Sequence, residues 1–156
     1  EPSELGAAFG LVQLKKLKKN LKKREINFKL HTDFLKKFSK YFILPKQLSG
    51  SRSGWLAYPI TIKENAPFTR TQMQIFLEKK NIQTRVVFTG NILRQPGFRN
   101  IKAKKDKKGY PESDKVMRNG ILIACHHGLS KKMIRHVHKS ISEFILKKYL
   151  ILYFEF

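Results

Sequence analysis

The sequence predicts an α+β fold in which a long N-terminal helix leads into a small, largely antiparallel sheet with helices packed on it. Three observations carry that expectation. Apolar residues recur at helical intervals over residues 5–38. Three short runs rich in β-branched and aromatic residues stand between glycine, proline and polar breaks. Two further helical patterns alternate with those runs. The 156 residues, 41% of them hydrophobic, suffice for one core of ordinary size.

In the first helix Leu14, Leu17, Leu21, Phe28, Leu35 and Phe38 fall on one stripe, and Lys15, Lys16, Lys18, Lys19, Lys22, Lys23 and Arg24 take the other faces. Like charges three or four positions apart repel, so packing of the stripe must offset them. Pro45 and the Gly/Ser-rich residues 49–54 end the pattern in a loop. Over residues 55–62, Leu56, Tyr58, Ile60 and Ile62 alternate with Trp55, Ala57, Pro59 and Thr61, as in a strand with two unlike faces. Pro59 has no ladder donor, which puts the strand at an edge or a bulge at that point. Thr69-Arg70-Thr71-Gln72 has the spacing of a capping box and predicts a helix to Lys80 with Met73, Phe76 and Leu77 inward. Asn81 closes it before a strand over residues 84–88. Residues 102–109 are basic and without hydrophobic period, a surface loop. A short helical segment near Met117, a strand over residues 121–125 and a last helix follow. Ser130 is placed to cap that helix, and Ile134, Val137, Ile141, Phe144 and Ile145 share one of its faces. No internal repeat is present.

Charge and cysteine content narrow the function. The 33 Lys+Arg against 11 Asp+Glu give a formal charge of +22, which favours nucleic acid, anionic lipid or a phosphorylated ligand. No apolar run approaches the roughly 20 residues a bilayer span needs. The single Cys125 cannot form an internal disulfide or a cysteine-rich metal site, and no signal peptide is visible, so a cytoplasmic setting is expected. The chain opens Glu1-Pro2-Ser3-Glu4 and enters a helical pattern almost at once, as a piece of a longer protein would.

Candidate chemistry is sparse. His126 and His127 are adjacent and point apart in a strand, and His136 and His138, two apart on a helix, diverge, so no metal site is expected. Cys125 beside His126 reads as a buried strand cysteine rather than a nucleophile. Residues 84–96 are richer: Arg85 and Arg94 offer planar donor forks for carboxylate or phosphate, and Asn91 and Gln95 can donate to and accept from sugar hydroxyls. The same groups could instead cap a turn and pair with nearby backbone, and spacing alone leaves both readings open.

Several blocks, in order along the chain, carry a family resemblance: Ala7-Ala8-Phe9-Gly10-Leu11-Val12-Gln13-Leu14; Trp55 with Pro59-Ile60-Thr61-Ile62-Lys63-Glu64; Thr84-Arg85 with Gly90-Asn91-Ile92-Leu93-Arg94-Gln95-Pro96; and Gly128-Leu129-Ser130. Together they resemble the C-terminal part of the DegT/StrS family of pyridoxal-phosphate-dependent sugar aminotransferases, closest to its CDP-4-dehydro-6-deoxyglucose 3-dehydratase branch. Two places depart from the pattern. Gly54-Trp55-Leu56-Ala57 stands where that branch has Ser-Trp-Phe-Gly, and His126-His127 where it has Tyr-Pro.

The resemblance implies the small C-terminal domain of a fold-type-I transferase, with residues 1–45 as a helical connector from a large domain and 46–156 as the small domain. It implies a homodimeric parent that uses pyridoxal or pyridoxamine phosphate, with a [2Fe-2S] cluster in the dehydratase branch, on a nucleotide-linked keto sugar of deoxysugar and lipopolysaccharide synthesis. The catalytic and cofactor-binding residues would lie upstream. This chain would supply Arg85, Asn91, Arg94 and Gln95 to the substrate side, would be inactive alone, and would expose apolar surface at residues 5–21 and 149–156. A sugar aminotransferase of the same family is the alternative. From another class, the rival is a basic nucleic-acid-binding module using the lysines of residues 15–24 and 102–108; attachment to anionic membrane lacks a strongly amphipathic basic helix.

Overall fold

The computed structural model describes residues 3–98, 100–104, 106–107 and 109–154, with the backbone alone for residues 149–154. The Ser3 hydroxyl accepts from Gly6 N at 3.2 Å and opens helix α1 (Glu4–Leu35). A 3-10 turn, Lys36–Phe38, and a two-residue strand β1 (Phe42–Ile43) follow. Strand β2 (Ala57–Ile62) leads to helix α2 (Arg70–Lys79) and strand β3 (Thr84–Val86). Two 3-10 turns, Ile92–Arg94 and Pro96–Phe98, precede helix α3 (Pro111–Asn119), strand β4 (Gly120–Ala124) and helix α4 (Lys131–Phe154).

The capping box is complete: Thr69 Oγ1 accepts from Gln72 N at 3.3 Å, and Gln72 Oε1 accepts from Thr69 N at 3.1 Å. Both ends of the box satisfy donors the helix leaves free. Thr69→Ala is therefore expected to lower stability by about 1 kcal/mol and Thr69→Ser to leave it nearly unchanged. Urea unfolding midpoints test this, and an unshifted midpoint for the alanine variant would show the box contributes nothing.

The four strands form one sheet in the order β1-β2-β4-β3, antiparallel throughout. The register sets Tyr58 opposite Ile123 and Ile60 opposite Ile121. These four side chains are buried with Ile62, and α1, α2 and α4 bring Leu35, Met73, Leu77, Ile141, Phe144 and Ile145 into the same core. The opposite face, with Ala57, Pro59, Leu122 and Ala124, stays partly open, and Arg85 projects from its edge strand. Pro59 lies in an interior strand, but Cys125 N donates to Leu56 O, and the alternation that follows makes Pro59–Leu122 a pair without ladder bonds. Its missing donor faces the β1 side, where β1 reaches only Thr61 and Ile62. The edge expected at Pro59 is thus local.

Several expectations need correction. The apolar stripe of α1 does not run inward along its length: Leu14 is 64% and Leu17 44% exposed, and the buried residues of α1 are Asn27, His31 and Leu35. The rest of the chain covers only the second half of this helix. The strand expected over residues 84–88 stops at Val86, because Phe88 and Gly90 take positive φ (47° and 63°) and turn the chain away from β4. The helical segment near Met117 is the full helix α3, and β1 falls within the break after the first helix. The suggested boundary at residue 45 comes after β1, already paired into the sheet. Apolar exposure over residues 5–21 is present at Leu5, Phe9, Leu11, Val12, Leu14 and Leu17. The expected exposure of side chains at residues 149–156 lies outside the described residues.

Candidate functional site

Beyond β3 the chain turns at Gly90 and Asn91 caps the 3-10 turn, its Oδ1 accepting from Leu93 N at 3.1 Å. Asn91 Nδ2 donates to Asp114 Oδ1 at 2.7 Å, and Asn91 is 6% exposed, so both ends of its amide are used inside the protein. Arg94 meets the same carboxylate with two nitrogens, Nε to Oδ1 at 3.2 Å and Nη2 to Oδ2 at 2.9 Å. The Arg94 side chain is still 63% exposed, whereas that of Asp114 is 13% exposed. Gln95 Nε2 donates to Thr89 O at 2.8 Å, and among the described residues nothing engages its carbonyl oxygen. Arg94 and then Asn91 hold the Asp114 carboxyl below the usual carboxylate range.

Three of the four expected site residues, Asn91, Arg94 and Gln95, are thus gathered on one turn. Arg85 stands apart, opposite Leu122 on edge strand β3, where it lines an open groove of about 570 Å³. The groove floor is apolar, with Ile82, Leu122, Leu129 and Met133, and Arg85, Lys132, His126 and His136 stand around it. Among the described residues no Asp or Glu lines it. His136 Nε2 lies 2.8 Å from Lys80 O and must carry a proton there, while His126 Nδ1 accepts from Gly128 N at 3.1 Å. The arrangement suits an anion carrying an apolar body.

The remaining titratable groups serve structure. Burial pushes the Cys125 thiol up to about 12, which keeps it protonated at neutral pH and poorly nucleophilic. The His127 ring is held below its ordinary range by burial and by Arg24, whose guanidinium lies 3.3 to 3.4 Å from His127 Nδ1 and also donates to Gly54 O. His138 does not share a site with His136. It meets His31 of α1, Nδ1 to Nε2, at 3.1 Å.

Sequence reasoning missed Asp114, Lys132 and His31. Asp114 sits in the first turn of α3 after Pro111, where an acid already has a local reason to be, and no spacing ties it to Arg94. His31 shares a helical row with Asn27 and Leu35, a signal that was available but that the leucines of the first half of α1 overrode.

The sheet backed by helices on one face and entered by a long helix is an architecture this chain shares with aminotransferase-fold proteins. The chain matches the DegT/DnrJ/EryC1/StrS aminotransferase family over residues 3–142 and belongs to it. It is 30% identical over 142 residues to the lipopolysaccharide biosynthesis protein RfbH of Salmonella typhimurium, covering 91% of this chain and 32% of that protein. It is 32% identical over 145 residues to the dTDP-4-dehydro-2,6-dideoxy-D-glucose 3-dehydratase of Saccharopolyspora spinosa, covering 93% of this chain and 31% of that one. The chain therefore spans about a third of the length of these relatives. In structure it is similar to the E. coli GDP-4-keto-6-deoxy-D-mannose-3-dehydratase solved with bound hydrated PLP, with TM-score 0.77 and 23% identity over 90% of this chain and 35% of that one. No helix among the described residues is long and apolar enough to cross a membrane.

Proposed function

We propose that the chain is the C-terminal domain of a nucleotide-sugar enzyme dependent on pyridoxal or pyridoxamine phosphate. In this reading the parent is a cytoplasmic, homodimeric 3-dehydratase of the CDP-4-dehydro-6-deoxyglucose type, serving deoxysugar and lipopolysaccharide precursor synthesis. The exposed first half of α1 serves as the connector, and the small domain takes in β1, which is paired into the sheet ahead of residue 46. The observation that carries the reading is the uncovered first half of α1, where Leu5 is 85% and Phe9 67% exposed on a helix whose second half is packed. Such an apolar row needs a partner surface. The two dehydration-side likenesses, in the block at residues 90–96 and to the Saccharopolyspora enzyme, favour dehydration over amino transfer; a sugar aminotransferase is the alternative.

Arg85 and Arg94 supply charged donors to the diphosphate or the sugar, and Gln95 offers a carbonyl to a sugar hydroxyl. Asn91, buried, acts by holding the turn. The groove does not fit the cofactor itself: no carboxylate among the described residues lines it to face a pyridine nitrogen, and Cys125, the single cysteine, supplies no ligand set for a cluster. The cofactor, which supplies carbanion stabilisation when bound, and any [2Fe-2S] cluster therefore belong to the rest of the enzyme. This chain binds and orients. A nucleic acid would be drawn to the lysines of α1 by charge alone, and binding of that kind disappears with added salt.

The purified chain, given pyridoxamine phosphate and CDP-4-dehydro-6-deoxyglucose, is expected to show no turnover; measurable 3-deoxygenation by the chain alone would overturn the reading. Spliced behind the N-terminal two thirds of the Saccharopolyspora enzyme, the chain should restore dehydration of that enzyme's substrate. Formation of an amino sugar instead would select the aminotransferase alternative.

A further inference from the structure

Two of the residues assigned above to the substrate turn are held by a third that no motif marks. The turn itself is weak: a three-residue 3-10 segment, with the poor hydrogen-bond geometry of its kind, on a loop where Asn91 is the one buried residue among those described. Asp114 makes up for this by gripping both ends of the segment, Asn91 through Oδ1 and Arg94 through both oxygens. The carboxylate is fixed in turn. Its helix is held through Met117, which lies against Gly90 of the turn, and through Arg70 of α2, whose Nη1 donates to Met117 O at 3.1 Å.

The way Arg94 is gripped sets what remains free. A guanidinium has five N–H donors in one plane, and the Nε side of the plane is spent on Asp114. Among the described residues nothing engages the two hydrogens of Nη1 and one hydrogen of Nη2, on the outward edge of a side chain that is still mostly exposed. An arginine fixed along one edge presents the other as a preformed fork and loses less freedom when an oxyanion binds.

Resting on the reading that this turn faces the nucleotide sugar, we propose that Asp114 is its positioning residue: the carboxylate orders the turn and aims the free edge of Arg94 at the anionic substrate. Asp114 does not touch the substrate. Its charge partly neutralises Arg94, so a purely electrostatic view predicts that removing it tightens anion binding. The positioning view predicts the reverse, and the two separate cleanly.

The test uses the whole chain in NMR titrations with CDP-glucose as probe, on wild type, Asp114→Asn, Asp114→Glu and Arg94→Ala. In Asp114→Asn the amides of Leu93, Arg94 and Gln95 should lose protection from hydrogen exchange. Binding of CDP-glucose should weaken about tenfold, the scale of ordering one or two side chains on binding. Asp114→Glu, which keeps the charge, should recover part of both. Wild-type affinity should fall as pH drops below the ordinary carboxylate range, and this acid limb should be absent in Asp114→Asn, with thermal melts recorded at each pH to separate lost binding from lost folding. Unchanged protection in Asp114→Asn, or tighter binding by it, overturns the inference while Arg94→Ala still reports on the site. A wild-type chain whose resonances at Arg85, Arg94 and Gln95 do not move overturns the substrate reading, and this inference with it.

Discussion

Acidification from pH 7 to pH 4.5 is expected to lower the thermal unfolding midpoint by roughly 10 °C, on the scale of about 2–4 °C per kcal/mol for chains of this size. The cause is the pair His31 and His138, which ties α1 to α4 over the end of β4. His31 is fully buried, and its Nε2 lies 3.1 Å from Ala124 O, a group that can only accept. Nε2 therefore carries the proton and Nδ1 is the lone pair. That lone pair faces His138 Nε2 at 3.1 Å, so His138 must be the donor. Each ring holds one proton, and a second on His31 would set two N–H groups head to head.

The surroundings offer no compensation. Phe34 stacks on His138 at 4.0 Å between centroids, Tyr58 lies against His31 at 5.4 Å, and the Tyr58 hydroxyl is engaged with Thr32. Burial, followed for His138 by the nearby His31 and Lys37, pushes both rings down to about 4 from an ordinary 6.5. Both pKa values are depressed in the folded state, so the unfolded chain binds more protons between these limits. The stability is fully present above pH 6.5 and drains away as pH falls toward 4. His31 alone accounts for about 3 kcal/mol of this and the less buried His138 for a smaller part, a large share of an ordinary 5–15 kcal/mol. Asp114, Glu25 and Glu78, whose pKa values are lowered, release their contribution only at still lower pH. Melts followed by circular dichroism would decide the matter. His31→Gln, which can donate to Ala124 O and accept from His138, should remove most of the slope, whereas a midpoint level from pH 7 to pH 5 in the unsubstituted chain would sink the assignment.

What could be read in advance follows the range of the interactions involved. The capping box at Thr69 and Gln72 and the serine cap at Ser130 join residues three apart, and their chemistry is local enough to be legible as sequence. The alternation in β2 and the inward face of α4 are equally local, since each records only which side meets the core. The phase of α1 was not legible. A periodic pattern gives the direction of a stripe but not the length over which a partner covers it, and here partial cover begins near Asn20 and full burial only at Asn27. Buried polar pairs were further out of reach. His31 and His138 are 107 residues apart, and Arg94 and Asp114 are 20 apart, with no repeated spacing to couple them. The turn at residues 90–95 was recognised as chemically rich, but the carboxylate that organises it was hidden by having an ordinary place at a helix start.

Gly90→Ala is expected to lower stability by about 3 kcal/mol and to unfasten the substrate turn, because it combines a strained backbone with overpacking. Gly90 has φ 63°, which an L side chain adopts at a cost of about 1–2 kcal/mol. Space is the larger obstacle. A Cβ at this position would lie 2.3 Å from Met117 Cβ, 2.5 Å from Cγ and 2.7 Å from Cα. A flexible side-chain tip could swing aside, but Cα and Cβ move only if α3 moves as a body. The displacement would carry Asp114 away from Asn91 and Arg94, so a loss of stability and a loss of order at residues 91–95 should appear together. Gly50 provides the contrast: its φ is 75°, yet a Cβ there would meet nothing within 4 Å. Gly50→Ala should thus cost only the backbone part, about 1–2 kcal/mol, and leave the turn intact. Met117→Ala should not rescue Gly90→Ala, since it removes only Cγ and keeps the Cα and Cβ that also clash. Equal urea midpoints for the Gly90 and Gly50 variants would mean that α3 does not press on the turn, and that the close approach of this helix is not what holds the arginine in place.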